Sequence, residues 1–265
     1  MICDNMKIKT ILNKKAAYID YIYVLLNNKN LLFDELVKPV DILTSINFTY
    51  NEDFKKIRTK YYNNFYKFIK YSKKKFESYW KLKYKKMTIE KQFIDNILFI
   101  YGEFICEEIS TLTKVKWNMK NIEIILTLRI GGMNDKNKII LGVDNKIRGL
   151  YIETLIHELI HLNTHKTISK FKFSNESEEI ATTLITNKII ELLNNKYELN
   201  IKKQSFSYNL IKHKEFEKIF SFNLYSINNS FIDLIRKIEK ILKLDNNINS
   251  SDLAVRAAKP DYVID

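Results

Sequence analysis

Along most of the chain the apolar positions recur every three to four residues, the period of helices with one buried face. The pattern predicts amphipathic helices over residues 10–28 and about 52–80. In the second, "EDFKKIRTKYYNNFYKFIKYSKKKFESYW" sets aromatics along one stripe and lysines along the other, a solvated face. A third helix is predicted over roughly 88–111, with Ile89, Phe93, Ile97, Ile100, Phe104 and Ile105 as its apolar stripe. Only Pro39 and Pro260 occur, and all five glycines lie between Gly102 and Gly149, so little interrupts helices elsewhere.

Inside that window the period shortens. "NIEIILTLRI" (121–130) and "KIILGVD" (138–144) are β-branched runs bounded by turn residues, Gly131-Gly132 with Asn134-Asp135 and Asp144-Asn145, and read as strands. "TKVKW" (113–117) is a further candidate strand. The helical period returns from Ile147 to His165, and a polar loop, "KTISKFKFSN", leads to a helix from about Glu176 to Asn195. Asn175 with Glu178 three residues on forms a capping-box-like start for it. The tail from 204 to 245 is again mostly helical in pattern. The expected class is α+β and predominantly helical. Residues 1–87 form a helical N-terminal part, and residues 88–265 a mixed part with a helical C-terminal region.

Composition narrows the partners. At 265 residues and 46% apolar, the chain is long and apolar enough to bury a sizeable core. Cys3 and Cys106 do not form a spacing used for zinc or redox work, and Cys106 reads as a small core residue. No run reaches membrane-spanning length and the start lacks a signal-peptide pattern, which predicts a soluble cytoplasmic protein. The net charge of +13 points toward acidic partners, but nearly all of it is lysine. Arginine, whose forks read nucleic acids, occurs only at 58, 129, 148, 236 and 256 without clustering. A nucleic-acid partner is therefore disfavoured and stays open.

Three of the four histidines fall within nine positions, in "HELIHLNTH". His157 and His161, four apart on a helix, share one face one turn apart and can approach a single ion. Glu158 is offset by about 100°, beside the ion, where it can act on an activated water instead of binding the metal. Ile152, Leu155, Leu159 and Leu162 gather on the opposite side, so the helix packs by one face and presents its histidines from the other. A catalytic ion needs a third ligand. His165 lies two turns from His157, about 12 Å along the axis, and reads as a helix-end histidine. Glu178 lines up with Ala181, Ile185, Ile189 and Leu192, while Glu179 lies to the flank. Glu178 is the favoured third ligand, with Glu179 as the alternative, and a simple N-terminal-turn acid complementing the helix dipole is the other reading of Glu178. His213, Tyr208 and Tyr197 are candidate transition-state stabilisers by residue type alone.

"HELIH" followed seventeen residues later by "EEIA" resembles the gluzincin metallopeptidases, whose third ligand begins an E-x-x-A or E-x-x-S signature. The wider string "HELIHLNTH … ESEEIATTLITN" is similar to the ImmA/IrrE branch and to other minimal gluzincins, over about residues 88–195. Ile160 and Thr182 stand where that pattern often has glycine and an acid. The resemblance implies a zincin-like small sheet, a backing helix and an active-site helix. It also implies zinc held by His157, His161 and Glu178, with Glu158 as general base. An edge strand, 138–144 or 126–132, would pair with extended substrate. The expected activity is zinc-dependent hydrolysis of peptide bonds in a protein or peptide substrate. The alternatives are a catalytically inactive zincin-fold binding protein, a basic nucleic-acid-associated protein, and a metal-dependent hydrolase of other bonds.

Overall fold

The computed structural model describes residues 6–18, 21, 62–127, 132–135, 137–143, 148–203 and 230–244. Four strands and four long helices order them: β1 (Lys7–Leu12), α1 (Tyr62–Thr113), β2 (Asn121–Thr127), β3 (Gly132–Asp135), β4 (Lys138–Gly142), α2 (Gly149–Ile168), α3 (Asn175–Tyr197) and α4 (Phe231–Leu244). The expected α+β, predominantly helical class holds. Two compact units divide the chain, one containing residues 5–101 and 119–155, the other 102–118 and 156–265. The N-terminal division expected at residue 87 falls inside α1, which runs unbroken through Lys86, Met87 and Thr88.

The first unit is built on a four-stranded sheet of order β1-β2-β4-β3. β1 and β4 both pair with β2 in parallel, and β3 closes one edge antiparallel to β4. Central parallel strands are covered on both faces and so read as continuous apolar runs. Ile122, Ile124, Ile125 and Leu126 of β2, and Ile139, Ile140 and Leu141 of β4, are all buried. The run "KIKTIL" at residues 7–12 falls partly inside the segment expected to be helical and is a strand. Its β-branched residues pair with β2 from Lys7 opposite Asn121 to Leu12 opposite Leu126. Asn13 then caps the turn that follows, its Oδ1 accepting from Ala16 N at 3.0 Å. Ala16 packs on Ile125 and Ile140. Phe76 of α1 is buried against Tyr18, Tyr21 and Trp80. Tyr151 Oη donates to Val143 O, fixing the chain beyond β4.

The apolar stripe expected on residues 88–111 is displaced. Ile97 and Ile105 are buried, but Ile89 and Ile100 are exposed, and Ile94, Cys106 and Ile109 fill the core instead. The expected strand at 113–117 is not formed. Lys114 adopts φ 57°, a left-handed residue that ends the helix.

In the second unit, Asn163 of α2 ties down that helix end. Its Oδ1 accepts from Thr113 Oγ1 at 3.1 Å and its Nδ2 donates to Val115 O at 3.2 Å. α3 starts one residue earlier than the Asn175–Glu178 cap implies. Ser174 is the N-cap, and its Oγ accepts from Ser177 N. α4 opens with a reciprocal cap between Ser230 and Asp233, and buries Phe231, Leu234, Ile235 and Ile238. Glu239 accepts from Ser174 N at 2.9 Å, so α4 holds the start of α3 in place. Among the described residues, no helix is long and apolar enough to cross a membrane.

Candidate metal centre

α2 carries an unusual load of buried polar side chains. His157, Glu158, His161, Asn163 and Thr164 are all buried. Such groups are costly away from water unless each finds a partner. Thr164 donates to Ile160 O at 2.8 Å and Asn163 binds the end of α1 as above. The histidines face α3.

His157 Nε2 and His161 Nε2 stand 3.0 Å apart. Glu179 reaches both, Oε2 at 3.2 Å from His157 Nε2 and Oε1 at 3.2 Å from His161 Nε2. A tetrahedral ion with bonds of about 2.0–2.1 Å requires ligand atoms about 3.3 Å apart. The two Glu179 contacts are made by different oxygens, and taking one ligand atom from each side chain the three lie within 4.8 Å of one another. Among the described residues they form a His-His-Glu group that could hold a metal ion.

Glu178, the acid favoured from the sequence as the third ligand, lies elsewhere. Its Oε1 is 3.0 Å from His161 Nδ1, the ring nitrogen turned away from the cluster. Glu179 takes the place expected for Glu178. Glu178, aligned with the apolar stripe, is the more buried of the two acids and sits behind the His161 ring, while Glu179 on the more exposed flank reaches the inner nitrogens of both rings.

The two acids have different effects on His161. A carboxylate only accepts, so the Glu178 contact places the proton on Nδ1 and leaves the Nε2 lone pair facing His157 and Glu179. That lone pair meets a carboxylate oxygen, and the contact is favourable only with a cation between them, a proton or a metal ion. Burial opposes a charge on His161. The hydrogen bonds to Glu178 and Glu179, with the Glu179 and Glu158 charges, outweigh burial and push it up to about 10. Burial also opposes a charge on Glu179, yet the hydrogen bonds and charges of His157 and His161 hold its carboxyl well below the usual carboxylate range. The Glu179 side chain is 43% exposed, so the cluster opens to solvent on that side.

The remaining sequence-derived candidates separate. His165 is exposed in the last turn of α2, as expected for a helix-end histidine. Tyr197 ends α3 with its ring edge-on to Phe104, eighteen residues and about 27 Å of helix from Glu179, too far to assist there. His213 and Tyr208 lie outside the described residues. No protein-family model, curated protein or solved structure matches the chain.

Proposed function

We propose that the chain is a zinc-dependent metallopeptidase, with His157, His161 and Glu179 as ligands and Glu158 as general base. The observation that carries this reading is the convergence of three ligand-type atoms, one from each side chain, within 4.8 Å of one another across α2 and α3, with a buried acid adjacent in sequence to the first histidine. Two neutral imidazoles and one carboxylate are the donor set of hydrolytic zinc sites, and three protein ligands leave a fourth position open. Zinc held there would polarise a scissile carbonyl and acidify a water.

The chain's own groups supply the rest. Glu178 accepts from His161 Nδ1–H and fixes the tautomer whose Nε2 can bind a metal, an arrangement that typically strengthens metal binding. Glu179 would offset the positive charge of a bound ion. Glu158 takes a proton from the attacking water and delivers it to the leaving amine as the C–N bond breaks. Hydrolysis of a quenched fluorescent peptide library tests the reading. Cleavage should be abolished by a zinc chelator, restored by zinc, and lost in Glu158→Gln. Cleavage that survives both treatments would remove zinc peptidase chemistry from consideration.

A further inference from the structure

Among the described residues, six large apolar side chains are exposed, and five of them, Leu82, Tyr84, Ile89, Phe99 and Ile100, lie within nineteen residues of α1. Leu82 is 80% exposed and Phe99 90%, values unusual for side chains of that size on a helix whose other face is core. At about 100° per residue, Leu82 and Ile100 share one direction and Ile89 lies within about 20° of it. The three make an apolar line about 27 Å long.

The charge of α1 is segregated along the same helix. Residues 73–86 hold seven lysines and one acid, Glu77, whereas residues 87–113 hold five acids, Glu90, Asp95, Glu103, Glu107 and Glu108, and one lysine, Lys91. Positive charge toward the N-terminus and negative charge toward the C-terminus runs against the helix macrodipole, so the arrangement does not serve the isolated helix. Glu90 and Asp95 are paired within the chain, with Arg148 and Lys91, so Glu103 and Glu107 form the acidic end that would meet a partner with the opposite order of charge.

We infer that this face of α1 binds a second copy of the chain, with the two helices antiparallel. Setting Leu82 of one copy against Ile100 of the other fixes a two-fold register. It places Ile89 opposite Phe93, Lys86 opposite Asn96 and Lys75 opposite Glu107. Apolar meets apolar and lysine meets acid or amide, with both halves matched by the same operation, as a two-fold interface requires. A parallel pair would set the lysine-rich halves against each other. An anionic membrane or a nucleic acid would attract the basic half and repel the acidic one. The inference does not depend on the metal centre.

Sedimentation over a wide concentration range, with cysteine cross-linking in a Cys3→Ser background, tests it. The full chain is expected to sediment as two copies at high concentration. Leu82→Glu with Ile100→Glu should halve the mass without changing the circular dichroism spectrum. Leu82→Lys with Ile100→Glu should restore the dimer, because each lysine then faces a glutamate. Under oxidised glutathione, Leu82→Cys with Ile100→Cys should yield covalent dimer and Leu82→Cys alone very little. A monomer at every concentration would overturn the inference. So would efficient cross-linking through Leu82→Cys alone, or a monomer whose Leu82→Cys thiol resists maleimide because another part of the chain covers it.

Discussion

Helix α2 carries polar side chains where burial leaves them little water, whereas helix α1 leaves large apolar side chains such as Leu82 and Phe99 exposed. On α2 the irregularity is resolved inside the fold. His157, His161 and Glu179 partner one another, Glu178 holds the far side of His161, and Asn163 and Thr164 satisfy backbone or side-chain partners. On α1 Leu82, Ile100 and Phe99 stay exposed, and the proposed second copy of the chain would cover the line that Leu82 and Ile100 define. A break in the polar–apolar pattern of a helix thus motivates a chemical proposal in one case and an interface proposal in the other. Which of the two applies is decided by the residue types and not by the break itself.

Perturbing each helix should sharpen that contrast. The largest effect is expected from Glu158→Gln, which should lower peptide hydrolysis by about 10²–10⁴-fold while leaving metal content unchanged. Parallel activity and elemental assays would detect any metal loss that contradicts this. In the metal-free protein, His161→Ala strands two carboxylates and should cost roughly 1–3 kcal/mol, a modest value because solvent reaches Glu179. Asn163→Ala leaves Val115 O and Thr113 Oγ1 without their α2 partner and should cost about 1–3 kcal/mol in urea unfolding.

A pH titration of metal-free stability probes the same cluster. The charged form of His161 is favoured by folding, so its contribution is complete below about pH 6.5, the ordinary histidine value, and is lost as pH rises toward 10. Glu179 has the opposite sign: its contribution is present above about pH 4.5, the ordinary carboxylate value, and is lost on acidification. The melting temperature should therefore fall on both sides of roughly pH 4.5–6.5, and His161→Ala should flatten the alkaline limb. The smallest effect is expected on α1, where Leu82→Ala should change monomer stability by less than about 0.5 kcal/mol. Unfolding of a dilute sample would measure it.

Legibility from sequence followed the strength of the local signal. The strands at 121–127 and 138–142 and helices α2 and α3 were readable because each repeats one period between turn residues or caps. The histidine pair was readable because four residues on a helix is itself a geometry. β1 was hidden because "KIKTIL" runs straight into a helical pattern, and its strand identity comes from pairing with β2, more than a hundred residues away. On α1 the presence of an apolar stripe was legible but its direction was not. Ile89 and Ile100 have the spacing of core residues, and only tertiary packing sends Ile94 and Ile109 inward in their place. Glu178 and Glu179 differ in which ring nitrogen of His161 each meets, a tertiary geometry that the period of α3 does not carry.

Zinc per chain by elemental analysis, measured together for wild type, His161→Ala, Glu179→Gln and Glu158→Gln, tests the central claim most directly. One zinc in wild type and in Glu158→Gln, with loss in His161→Ala and Glu179→Gln, is the predicted result. No zinc in wild type after reconstitution would contradict the account and leave the α2–α3 cluster as a buried ion pair.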